Sequence, residues 1–137
     1  MFTNTKSLNK IESLQKRALR FLLNDYTSSY EELLEKSGKS KMHINSLRTF
    51  CTEIFKSINN LNPIFMNDIF KIRVTDRPVR KFYRNNIEFQ RFNQVTFGKN
   101  SLRVFGPKVW NALPSKIKVS EDLMSFKAQI KKWDISF

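Results

Sequence analysis

The sequence predicts a mainly α-helical protein: a small bundle of three or four helices, then a basic irregular segment, a β-hairpin and a C-terminal helix. Three observations carry this expectation. Apolar residues in the first half recur at helical spacing, and capping residue types flank those runs. Beyond Phe70 the periodicity weakens while cations accumulate. The divisions that follow are 1–70 for the bundle, 71–92 for a basic, aromatic-rich connector, and 93–137 for the hairpin, a short turn and the last helix. A chain of 137 residues, 40% hydrophobic and with thirteen Phe and two Trp, can bury a modest core.

Ile11, Leu14, Ala18, Phe21 and Leu22 mark one face of a helix over residues 7–23. Ser28 with Glu31 fits a capping box for a second helix, and Gly38 fits the residue after its end. Ile44, Leu47, Cys51, Ile54, Ile58 and Leu61 give a third helix over residues 41–60, and Asn62 with Pro63 opens a short fourth. The runs 94–97 and 101–105 are β-rich and flank Gly98, Lys99 and Asn100, which predicts the hairpin. Gly106 reads as a turn, Pro107 as the first position of a short helix, and Pro114 as its end. In the last helix Leu123, Phe126, Ile130 and Trp133 share a face, with Ser120 as its cap.

Charge limits the function. The net charge is +13, unevenly spread: residues 1–70 carry +3 and residues 71–137 carry +10. Polyanions are the expected partners, nucleic acid ahead of a membrane surface. No 18-residue apolar run exists, the N-terminus reads as no secretory signal, and the single cysteine, Cys51, forms no internal disulfide. The expected location is therefore intracellular, in nucleus or cytoplasm. His43 is the only histidine, so one chain builds no zinc site and no histidine-based triad. The acidic pairs Glu31-Glu32 and Glu121-Asp122 sit where helix N-termini favour negative charge. No catalytic residue, metal site or cofactor is expected.

Binding remains. Between residues 71 and 92 Lys71, Arg73, Arg77, Arg80, Lys81, Arg84 and Arg91 face only Asp76 and Glu88, with Phe82, Tyr83, Phe89 and Phe92 interleaved. Lys99 and Arg103 extend the set of candidate nucleic-acid contacts into the hairpin. Cations neutralise phosphates, and aromatic faces stack on unpaired bases at roughly 1–3 kcal/mol each. Arg80 and Arg84 share a side whether this stretch is helical or extended, and the residues leave both conformations open. The aromatics fit core filling as well as stacking. Trp110 is expected in the core beside Phe126 or Trp133, with Phe105 in the same cluster and Asn111 bonding backbone near Pro114.

In order along the chain stand "KIESLQKRALRFLLNDYTSSYEELLEKSG", "INSLRTFCTEIFKSINNLNPIFMNDIF", "TFGKNSLRVFGPKVWNALPSKIK" and "SFKAQIKKW". This series resembles the region downstream of the polymerase domain in non-LTR (LINE-type) retrotransposon reverse transcriptases of the jockey and chicken-repeat kind. The last block is the most specific, with Gly98, Gly106, Pro107, Trp110, Asn111, Leu113, Pro114, Phe126 and Lys127 in place. Arg73 and Arg80 match arginines that precede it. Leu102 departs from the pattern, standing where the family often has an aromatic. The resemblance implies a thumb-like helical segment with its C-terminal extension, which lies against primer–template duplex and helps hold the element's RNA. The Tyr-x-Asp-Asp signature, fingers, palm, endonuclease and any Cys/His knuckle are not in the sequence. The expected function is thus a non-catalytic fragment of an RNA-directed DNA polymerase that binds RNA or an RNA/DNA duplex through phosphates. The remainder of the polymerase is a second expected partner. The alternative is a segment that docks on a missing palm, or an element remnant with no function alone.

Overall fold

The computed structural model describes residues 5–73, 85–89 and 101–133. Among them are seven helices and one isolated antiparallel bridge, so the protein is mainly α. The helices are α1 (Thr5–Leu23), α2 (Tyr30–Ser37), α3 (Met42–Ile58), α4 (Ile64–Asn67), α5 (Leu102–Ala112), α6 (Ser115–Lys118) and α7 (Leu123–Lys132). The chain forms two compact units, Met1–Leu47 and Arg48–Phe137, with the boundary inside α3. Among the described residues no helix is long and apolar enough to cross a membrane.

In the first unit a turn built on Asp25 links α1 to α2. Its carboxylate accepts from the Thr27 and Ser28 amides, from the Ser28 hydroxyl at 2.6 Å and from Lys36 Nζ. The Lys36 ammonium and these hydrogen bonds hold the Asp25 carboxyl well below the usual carboxylate range. Ser28 is thereby committed to Asp25, and the capping box forms one residue later than expected, between Ser29 and Glu32. Gly38 closes α2 at φ 63°, a left-handed value that glycine adopts without a Cβ clash.

The core of this unit is Leu19, Leu33 and Leu34, with Leu23 and Tyr30 packed against it. The face expected to be buried on α1 is the exposed one. Ile11, Leu14, Phe21 and Leu22 face solvent, because polar bonds latch the opposite side. Gln15 accepts from Tyr30 Oη at 2.6 Å and from the Met42 amide at 3.1 Å, and donates to the Ser40 carbonyl at 3.1 Å. Glu12 meets His43 Nδ1 at 2.5 Å.

In the second unit α3 buries Cys51, Ile54 and Phe55. Its buried hydroxyls, Thr52 and Ser57, bond back to the Arg48 and Glu53 carbonyls. Asn62 does not cap α4. Its amide reaches back to the Glu53 carbonyl and Ser57 Oγ, so Pro63 takes the cap position. Leu61, the last of the expected stripe, is exposed. Likewise Ser120 bonds the Ile117 carbonyl, and Asp122 caps α7 by accepting from the Ser125 amide at 2.9 Å.

The expected hairpin is corrected here. Its second run, residues 101–105, enters helix α5, while the first run and Gly98 to Asn100 lie outside the described residues. Pro107 is likewise interior to α5 and does not start it. A proline disfavours helix in the residue before it by clashing with that residue's Cβ, and Gly106 has none. The second reason for glycine is contact: a Cβ on Gly106 would overlap the buried Phe70 ring. Phe105 pairs with Phe50, their ring centroids 5.7 Å apart. Phe126 stacks between Phe55 at 4.4 Å and Trp110 at 5.9 Å, joining α3, α5 and α7.

Substituting Gly106 with Ala should destabilise the protein by about 1–3 kcal/mol in a urea titration, because overpacking outweighs the helix propensity that alanine brings. A neutral or stabilising result would show that Phe70 yields freely.

Candidate nucleic-acid interface

Residues 85–87 are held by α5 through their backbone and by α6 through the Asn86 side chain. Ile72 bridges Ile87, the Arg73 amide donates to the Asn86 carbonyl at 2.8 Å, and the Glu88 amide donates to the Lys71 carbonyl at 2.9 Å. Two such bonds make a marginal pairing by themselves. The helices supply the rest. Trp110 Nε1 donates to the Asn85 carbonyl at 2.9 Å. Asn111 accepts from the Ile87 amide at 2.9 Å and donates to the Ile87 carbonyl at 3.0 Å, so its side chain stands in for a neighbouring strand. Lys118 Nζ donates to Asn86 Oδ1 at 2.8 Å and to the Asn111 carbonyl at 2.9 Å.

The sequence Trp-Asn-Ala-Leu-Pro builds this constellation locally. Trp110 and Asn111 are about 100° apart on α5, so one enters the Phe126 stack while the other meets Ile87. Leu113, fully buried, ends α5 in extended backbone, and Pro114 starts α6, which carries Lys118 inward. Lys118 is buried, and desolvation pushes its amine down from the usual value to about 8.

The chain between Ile72 and Ile87 thus leaves and returns at one anchored point, and its sequence includes Arg77, Arg80, Lys81 and Arg84. Those four, with Arg91, Lys99 and Gly98, lie outside the described residues, as do Phe82, Tyr83 and Phe92. Arg73 is exposed beside the bridge and Arg103 is exposed in the first turn of α5. Phe89, two residues past the bridge, is 55% exposed. Gly106, Pro107, Trp110, Leu113 and Phe126 are buried, while Phe105, Asn111 and Pro114 are half-buried. Asn111 bonds Ile87 and not the backbone near Pro114. Asn85, Asn86 and Lys118 had no local signal, since their partners lie 7 to 32 residues away.

Electrostatically the two units differ. Met1–Leu47 holds eight Lys/Arg against five Asp/Glu, and there Lys36 pairs with Asp25 and Lys41 with Glu31. Arg48–Phe137 holds seventeen against seven, a net of +10. In this unit Lys56 pairs with Glu53 at 2.7 Å, and Lys127 lies near enough to help lower the Glu53 carboxyl. Lys71, Arg73, Arg103, Lys108, Lys116, Lys131 and Lys132 are exposed and make no ion pair with a described carboxylate. The described residues contain no group of three or more His, Cys, Asp or Glu that could hold a metal ion. Burial pushes the Cys51 thiol up to about 12, so it carries essentially no thiolate at neutral pH. Compared with family models, curated proteins and solved structures, the chain matches none.

Replacing Asn111 with Ala should cost roughly 1–3 kcal/mol for each Ile87 backbone group left unpaired, and should speed amide exchange at Ile87 before α7 loses protection. Equal exchange at both would show that Asn111 anchors nothing. The depressed Lys118 pKa gives a second expectation. Between about pH 8 and 10.5 the unfolded chain holds a proton that the folded one has released, so stability should rise with pH there. Lys118→Met should lack this increment relative to wild type when denaturation midpoints are measured across that range.

Proposed function

We propose that the chain is a non-catalytic nucleic-acid-binding module, a piece related to the C-terminal region of a retrotransposon RNA-directed DNA polymerase. It holds RNA or a primer–template duplex through phosphates, in the nucleus or cytoplasm, and reads shape more than sequence. The observation that carries the reading is the +10 unit, in which seven exposed cations make no ion pair with a described carboxylate. A protein field of one sign raises the local concentration of polyanions and speeds their capture. The anchored base at Ile72 and Ile87 holds the ends of the arginine-rich stretch together, and the exposed Phe89 ring offers a face for an unpaired base. Kinship with the retrotransposon polymerases rests on the sequence blocks quoted above, most of all the one containing Gly106, Pro107, Trp110, Asn111, Leu113 and Pro114.

If about five cations contact phosphate, raising salt from about 50 to 200 mM should weaken duplex binding roughly 500-fold, read by fluorescence anisotropy. A flat salt response would remove the proposal. In a primer-extension assay the chain alone should incorporate no nucleotide, and incorporation would overturn the non-catalytic assignment.

A further inference from the structure

The exposed side of α1 repeats every three and four residues: Ile11, Leu14, Ala18 and Phe21 are spaced +3, +4 and +3. That is the a/d seam of a coiled coil over two heptads, with Lys10 and Arg17 at the two g positions and Gln15 and Leu22 at e. Leu14, Phe21 and Leu22 are 62%, 81% and 73% exposed, and Ile11 is 38% exposed. The sole carboxylate of α1, Glu12, is turned to the other side and held by His43. We infer that this face docks a helix of another polypeptide that carries an apolar heptad seam and carboxylates along the edge meeting Lys10 and Arg17.

Charge decides among the occupants. A second copy in antiparallel register sets g against g, so Lys10 and Arg17 meet like charges. In parallel register g meets e, and Lys10 and Arg17 then face Gln15 and Leu22, which neutralise nothing. Self-pairing is therefore unfavourable, and an acid-edged helix removes both defects. An anionic bilayer satisfies the cations too, but an interfacial helix buries a broad apolar face, whereas here Gln15, at the rim of the seam, is committed to Tyr30, Ser40 and Met42. This surface lies in Met1–Leu47 and is independent of the cations assigned to nucleic acid.

The test uses the full chain and two synthetic three-heptad peptides with Leu and Ile at a and d, one edged with Glu and one with Lys. Anisotropy should show the Glu-edged peptide binding about tenfold tighter. Charge reversal at Lys10→Glu with Arg17→Glu should invert that preference. Leu14→Ser with Phe21→Ser should abolish binding of either peptide at an unchanged Tm, because both side chains are exposed. Equal binding of the two peptides, or binding of neither, overturns the inference. So does sedimentation with phosphatidylserine/phosphatidylcholine vesicles that the serine pair abolishes while no peptide binds. Concentration-dependent self-association abolished by the same pair assigns the face to a second copy and overturns it equally.

Discussion

A buried peptide group cannot be left without partners, and in the second unit that constraint falls on Ile87. This residue is almost wholly inaccessible, and the bridge to Ile72 brings its neighbours' backbone bonds without satisfying its own amide and carbonyl. Asn111 satisfies both with one side chain. Its position is set in turn by the aromatic stack of Phe55, Phe126 and Trp110, which holds α5 against α3 and α7. Apolar packing therefore aims a polar side chain, and the polar side chain fixes a segment with little regular structure of its own. Lys118 completes the arrangement by tying Asn86 to the end of α5.

The two units differ in charge balance. In Met1–Leu47 four of the five carboxylates are engaged internally, in the Asp25 turn, the Ser29 cap and the pairs with Lys41 and His43. In Arg48–Phe137 the cations outnumber the acids by ten, and the acids present include helix-capping Asp122 and Glu53, already shared with Lys56 and Asn62. Self-repulsion of that size costs stability, and counterions or a polyanion relieve it.

Much of this was legible in the sequence, and the failures have physical causes. Helix positions followed from apolar spacing, but the buried face of α1 did not. Both sides carry leucines, and the face that is buried is the one where Leu19 and Leu23 meet Leu33 and Leu34 and where Gln15 and Glu12 find hydrogen-bond partners. Caps slipped by one or two residues where a neighbouring side chain was otherwise engaged, as Ser28 is by Asp25 and Ser120 by Ile117. Residues 101–105 are β-rich by composition, yet from Leu102 onward they are helical, because Gly106 lets the helix run through Pro107 and because Phe105 packs on Phe50. The charge asymmetry was plain from counting. The Asn111–Ile87 pairing was not, since 24 residues separate the two and nothing local to either announces the other.

That separation also orders events in time. A helix nucleates from neighbours along the chain within about a microsecond, whereas a contact across many residues must first overcome the entropy of closing the intervening loop. Ile87 has no acceptor and donor waiting until α5 exists and is held at the proper angle. The anchored ends of the arginine-rich stretch therefore depend on α5, and melting that helix would leave both Ile87 backbone groups without their Asn111 partner.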